Sequence, residues 1–137
     1  MYKKILVPMA LDHGIGSHSL EVANQLLSDG GEIIALHVYE APHPTVNTYL
    51  DKNAVESAFE ATRARLEERV KDQAGVKPVL IMGHTGRSII DYVEENGIDC
   101  VVMGSHKPGL TDYFLGSTAS RVVSHAACAV HVLRRRD

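Results

Sequence analysis

Apolar residues along this chain fall into two alternating patterns, short unbroken runs and longer stretches with hydrophobic positions three or four apart. The runs are Ile5-Leu6-Val7, Ile33 to Val38, Val79 to Met82, Cys100 to Met103 and Ala129 to Leu133. Each is too short for a helix and does not alternate with polar residues, as expected of strands buried on both faces. Between them the spacing turns helical. Leu20, Ala23, Leu26 and Leu27 form one stripe, and Val55, Phe59, Thr62, Leu66 and Val70 a second. Ile89, Ile90 and Val93 form a third, and Ala119, Val122, Val123 and Ala126 a fourth.

Start and stop signals frame the helices. Ser17, Thr85 and Ser117 stand where an N-cap is needed, and Asn53 with Glu56 resembles a capping box. Gly30-Gly31, Gly75 and Gly97 supply the stops. Ala41 to Leu50, with Pro42 and Pro44, reads as loop. Glu60, Arg63, Glu67 and Lys71 lie opposite the second apolar stripe and read as a solvated face.

Strict alternation of buried strands with amphipathic helices predicts an α/β protein with a parallel sheet covered on both faces. In such open sheets ligands bind beyond the carboxyl ends of the strands, where strand order reverses. The polar loops after the first, third and fourth strands therefore belong on one edge. With 137 residues and no internal repeat or linker, one domain over 1–137 is expected.

Composition narrows the function. Apolar content of 45% and charged content of 23% are those of a soluble globular protein. A net charge of -3 and few aromatics argue against nucleic acid as a partner. No apolar run approaches the roughly 20 residues of a membrane helix, and the N-terminus enters a strand pattern without a signal-peptide profile. A cytoplasmic protein without a membrane partner is the expectation. Cys100 and Cys128, in or beside apolar runs, read as buried free thiols in a reducing compartment.

The chemistry concentrates between Cys100 and Thr118. An apolar strand breaks at Gly104 into a polar loop with Ser105, His106 and Lys107, turned by Pro108-Gly109, and regular structure resumes at Gly116-Ser117-Thr118. A helix start has backbone N–H groups without internal partners and a partial positive charge, so this stretch is a candidate anion site. Other motifs are weaker. The phosphate loop G-x-x-x-x-G-K-[ST] is absent. Gly14-Ile15-Gly16-Ser17-His18-Ser19 misses the dinucleotide fingerprint at its third glycine, although Glu40 resembles that motif's ribose acid. The eight histidines have no metal-ligand spacing, and no G-x-S-x-G elbow is present. Ser105, His106 and Asp112 are the residue types of a triad, but adjacency in sequence does not make triad geometry.

The whole chain resembles the universal stress proteins. Met1-Tyr-Lys-Lys-Ile-Leu-Val-Pro8 is similar to that family's first strand, and Leu36-His-Val38 to its second. Gly83-His-Thr-Gly-Arg-Ser-Ile89 resembles its G-x-P-x-x-x-I element, with Thr85 replacing proline. Met103-Gly-Ser-His106, Leu115-Gly-Ser117 and Cys128-Ala-Val-His-Val-Leu133 complete the likeness. Nucleotide-binding members carry G-x2-G-x9-G-[ST]. Gly104, Gly116 and Ser117 fit it, Lys107 replaces its second glycine, and only eight residues separate Lys107 from Gly116. Ser105 to Pro108 followed by Tyr113 to Ser117 is more similar to the F/G-type branch. The aspartate that the resemblance places two residues after Pro8, for adenine recognition, is Ala10; Asp12 is near but not equivalent.

The resemblance implies a flavodoxin-like or Rossmann-like three-layer sandwich, its five parallel strands in order 3-2-1-4-5. It also implies a stress-responsive regulatory protein binding ATP or a related adenine nucleotide. The nucleotide-binding positions would be Pro8, Ala10, Val38, Gly104, Ser105, His106, Lys107, Gly116, Ser117 and Thr118. The phosphates would lie on the fourth helix, with Mg2+ as a companion ion at most and no tightly bound metal. A homodimer through the last strand is expected. Alternatives are a dimeric scaffold without nucleotide and slow ATP hydrolysis or self-phosphorylation; no set of side chains predicts efficient catalysis.

Overall fold

A computed structural model describes residues 1–11, 16–40, 52–105 and 115–134. The elements run β1 (Tyr2–Pro8), α1 (Ser17–Leu26), β2 (Leu27–Tyr39), α2 (Lys52–Val70), β3 (Val76–Met82), α3 (Thr85–Glu95), β4 (Cys100–Gly104), α4 (Ser117–His125) and β5 (Ala129–Leu133). All strand pairings are parallel, and the sheet order is β3-β2-β1-β4-β5, a flavodoxin-like α/β arrangement.

The unbroken apolar runs are explained by the two faces they serve. Ile5, Val7, Ile33, Ala35, Cys100 and Val102 pack against Leu20 and Ala23 of α1 and Leu66 and Val70 of α2. Leu6, Ile34, Leu36, Val101 and Met103 turn to the other face, onto Ile89 and Val93 of α3 and Ala119 and Val122 of α4. Neighbours in sequence therefore serve opposite layers, as the two-residue repeat of a strand requires. At the amino ends of the strands, Asp99 fastens β4 to β1, its carboxylate accepting from the backbone N–H of Lys3 at 2.9 Å and of Lys4 at 3.0 Å.

Several boundaries differ from the sequence reading. The N-caps are Gly16, His84 and Gly116, so Ser17, Thr85 and Ser117 are each the first helical residue instead. Gly16 has φ 126, a conformation few residues other than glycine adopt. Asn53 lies inside α2, which begins at Lys52. Helix α1 stops at Leu26 rather than at Gly30-Gly31, because Leu27 is already extended and pairs with Tyr2. Strand β3 begins at Val76, earlier than Val79. Gly97 ends α3 as expected, with φ 63. Both cysteines are free, but Cys128 is only half-buried. Burial pushes the Cys100 thiol up to about 11, which leaves little reactive thiolate at neutral pH.

Candidate functional site

Strand β1 lies between β2 and β4, so chain direction across the sheet reverses beside it. The carboxyl ends of these strands open into a cavity of about 780 Å3. Pro8 and Ala10 enter it from β1 and the residues after it, and Val38 from β2. Gly104 and Ser105 reach it from the end of β4, and Gly116, Ser117 and Thr118 from the start of α4. Eight of the ten predicted site positions thus share one cavity. His106 and Lys107 lie outside the described residues, as do Asp12, Asp112 and the glycine-containing turn at 108–109.

Backbone hydrogen bonds set the cavity's rim. The Ser105 N–H donates to the Leu133 carbonyl at 2.9 Å, and the Ser105 carbonyl accepts from Gly116 N–H at 2.7 Å. The end of β4 is thereby tied to both β5 and the start of α4. On the opposite side Met9 N–H donates to the Leu36 carbonyl at 2.8 Å. His37 Nδ1 lies 2.6 Å from the Met9 carbonyl, which can only accept, so Nδ1 carries the proton. The residues after β1 are held against β2 in this way.

Two helix starts meet the cavity, and their first turns differ. In α3, Thr85 N–H and Oγ1 donate to Glu40 Oε1 at 3.1 and 2.8 Å. The His84 ring accepts from Arg87 N–H at 3.5 Å. Protein groups thus satisfy much of that turn. In α4 the glycine cap brings no side-chain hydrogen bond, and the first helical bond runs from Ser120 N–H to the Gly116 carbonyl at 2.8 Å. The N–H groups of Ser117, Thr118 and Ala119 precede that bond, and all three residues line the cavity. Oriented N–H groups with the helix dipole behind them form an acceptor for an anion. Pro8, Leu36, Val38, Ile89 and Met103 supply an apolar wall. The site combines a surface for a flat apolar group with a donor cluster for negative charge.

The sequence reading did not place Glu40, His84, Thr85 or Arg121 in this cavity, yet all four line it. Glu40 had a signal, an acid at the end of the second strand. Arg121 had one too, as it stands four residues after Ser117 and hence on the same helix face. Glu40 is the one carboxylate among the described lining residues. No group of three or more His, Cys, Asp or Glu able to hold a metal ion occurs among the described residues. Ser105, the triad candidate, is only 2% exposed. No helix among the described residues is long and apolar enough to cross a membrane.

Fold and cavity together define an open α/β protein whose cavity lies at its topological switch point. The sequence model of the universal stress protein family matches residues 1–134, and the chain belongs to that family. Universal stress protein G of Salmonella typhimurium is 30% identical over 151 residues, covering 98% of this chain and 100% of that protein. The solved structure of protein MJ0577, from Methanocaldococcus jannaschii, matches with a TM-score of 0.83 and 25% identity over 100% of this chain and 99% of that one. A universal stress protein family protein from Arabidopsis thaliana, with AMP bound, shares the fold at a TM-score of 0.63 and 18% identity, covering 98% of this chain and 92% of that one.

Proposed function

We propose that this chain, as one domain over residues 1–137, is a stress-responsive regulatory protein of the cytoplasm that binds ATP or a related adenine nucleotide. Its phosphates rest on the start of α4. The observation that carries this reading is the open first turn of α4, Ser117 to Ala119, on the same cavity as the apolar wall. Such a pairing of surfaces accommodates an anionic group and a flat base together. The Arabidopsis thaliana relative, with AMP bound, supports the ligand class. Ala10 brings no carboxylate to the base, so selectivity for adenine is expected to be modest. Lys107 adds a cation to the site in this reading. With one lining carboxylate, Glu40, the described residues offer no converging ligands for Mg2+, which would ride on the phosphate oxygens. Mass spectrometry of small molecules released on denaturing freshly purified protein tests the reading. An adenine nucleotide is expected; a protein that releases none and gives no heat on titration with ATP overturns it.

The same reading includes a homodimer through β5. The sheet has two edges, β3 and β5. Strand β3 carries Lys77 and Pro78, a charge and a missing donor that discourage pairing, whereas β5, Ala129-Val-His-Val-Leu133, carries neither. Sedimentation is expected to give a dimer that Val130→Pro weakens by deleting an outward-facing backbone donor, since the Leu133 carbonyl, and with it the backbone of His131, faces β4. A monomer at tens of micromolar, or a dimer indifferent to that substitution, contradicts it.

A further inference from the structure

Arg121 stands one turn into α4, four residues after Ser117, and lines the cavity. Side chains on a helix lean toward its N-terminus, so this arginine extends over the same turn whose N–H groups are open. Its stem crosses α3 at Gly86, where an added Cβ would come within 2.8 Å of Arg121 Cδ. The absence of a side chain at Gly86 is what lets the arginine lie there. Its guanidinium meets the His84 ring, Nη1 standing 3.4 Å from Nδ1, which also faces Arg87 N–H. That contact is long for a hydrogen bond and weak. No carboxylate among the described residues pairs with Arg121. Asp91 shares an outer groove with it, but so does Arg87, which adds like charge. A planar cation on a cavity wall, without an anionic partner and beside open N–H groups, has its charge answered by nothing the described protein supplies.

We infer that Arg121 is a phosphate-binding residue of this cavity, positioned by Gly86 and His84, and that it makes the site prefer nucleotides of higher charge. This rests on the nucleotide reading above and goes beyond it. The guanidinium exchanges its long contact to His84 for charge-assisted, two-pronged bonds to phosphate oxygens, which are shorter and stronger. Phosphates on the α4 turn lie on the side of the cavity to which this side chain leans. Adenosine, lacking phosphate, gains nothing from it.

The test is calorimetric titration of the full chain and its variants with ATP, AMP and adenosine at two salt concentrations. Arg121→Gln is expected to weaken ATP roughly tenfold or more, to weaken AMP less, to leave adenosine unchanged, and to reduce the salt dependence of ATP binding. Arg121→Lys keeps the charge but not the fork and should fall between. Gly86→Ala displaces the arginine without altering it and sits in a helix that tolerates alanine, so it should reproduce the selective loss for ATP. Wild-type protein that binds no ATP overturns both the nucleotide reading and this inference. Wild-type binding with ATP unaffected by Arg121→Gln, or with ATP and adenosine weakened equally, overturns this inference alone.

Discussion

Gly116→Val is expected to abolish ATP binding while leaving a folded protein. Gly116 caps α4 with φ -60 and ψ 157, an extended conformation open to valine, so no backbone strain accompanies the change. The cost to the helix is that of a poorer cap, about 1 kcal/mol. The cost to a ligand is larger, because a branched side chain would stand beside the N–H groups that a phosphate must approach. Gly104 offers a parallel case with less risk to the fold. Among the described residues, a Cβ built there meets nothing within 4 Å, so Gly104→Val should be well tolerated and should still impair ATP binding by crowding the cavity. Calorimetry with ATP, alongside circular dichroism, separates lost binding from lost structure. Normal ATP binding by Gly116→Val would place the phosphates elsewhere.

Leu6→Ala is expected to remove about 2–5 kcal/mol of stability, a large part of the roughly 5–15 kcal/mol typical of a folded domain. Leu6 is 0% exposed at the centre of the central strand, paired with Ile34 on one side and Val101 on the other. It belongs to the cluster that joins the sheet to α3 and α4. Its loss leaves a cavity that strands paired on both sides cannot close. Val123, 48% exposed on α4, is the control, and its alanine variant should stay within about 0.5 kcal/mol of wild type. Urea denaturation of the two variants makes the comparison; similar midpoints would mean that the sheet is not the stabilising centre.

The fold was largely legible because the inner strands β1, β2 and β4 bury consecutive residues on both faces and so read as unbroken apolar runs, while the edge strands β3 and β5 are apolar in sequence although partly exposed. The strand order was legible only through the family resemblance, since periodicity says which faces are buried and not which strands are neighbours. Three helix caps were misread by one residue each, and Asn53 proved to lie inside α2. Serine and threonine suit the first helical position as well as the cap, and at α3 the Thr85 hydroxyl is drawn to Glu40, 45 residues away. Leu27 matches the helical stripe, yet pairing with Tyr2 takes it into β2. The site followed the same division. Positions at strand ends and at the start of α4 could be read from the chain. The polar rim was legible only in part: Glu40 and Arg121 each carried a signal, but the meeting of His84 with Arg121 did not, because it arises where α3 and α4 pack together and Arg121 reaches across 37 positions.

The central claim is that an adenine nucleotide places its phosphates on the first turn of α4. Backbone amide resonances of isotope-labelled protein, followed during titration with ATP, test it most directly. The largest shifts are predicted at Ser117, Thr118 and Ala119, with smaller ones at Gly104, Ser105 and Val38, and the α4 shifts should be much reduced with adenosine. Saturable shifts confined to other parts of the sheet or its helices, with these amides unmoved, would contradict it.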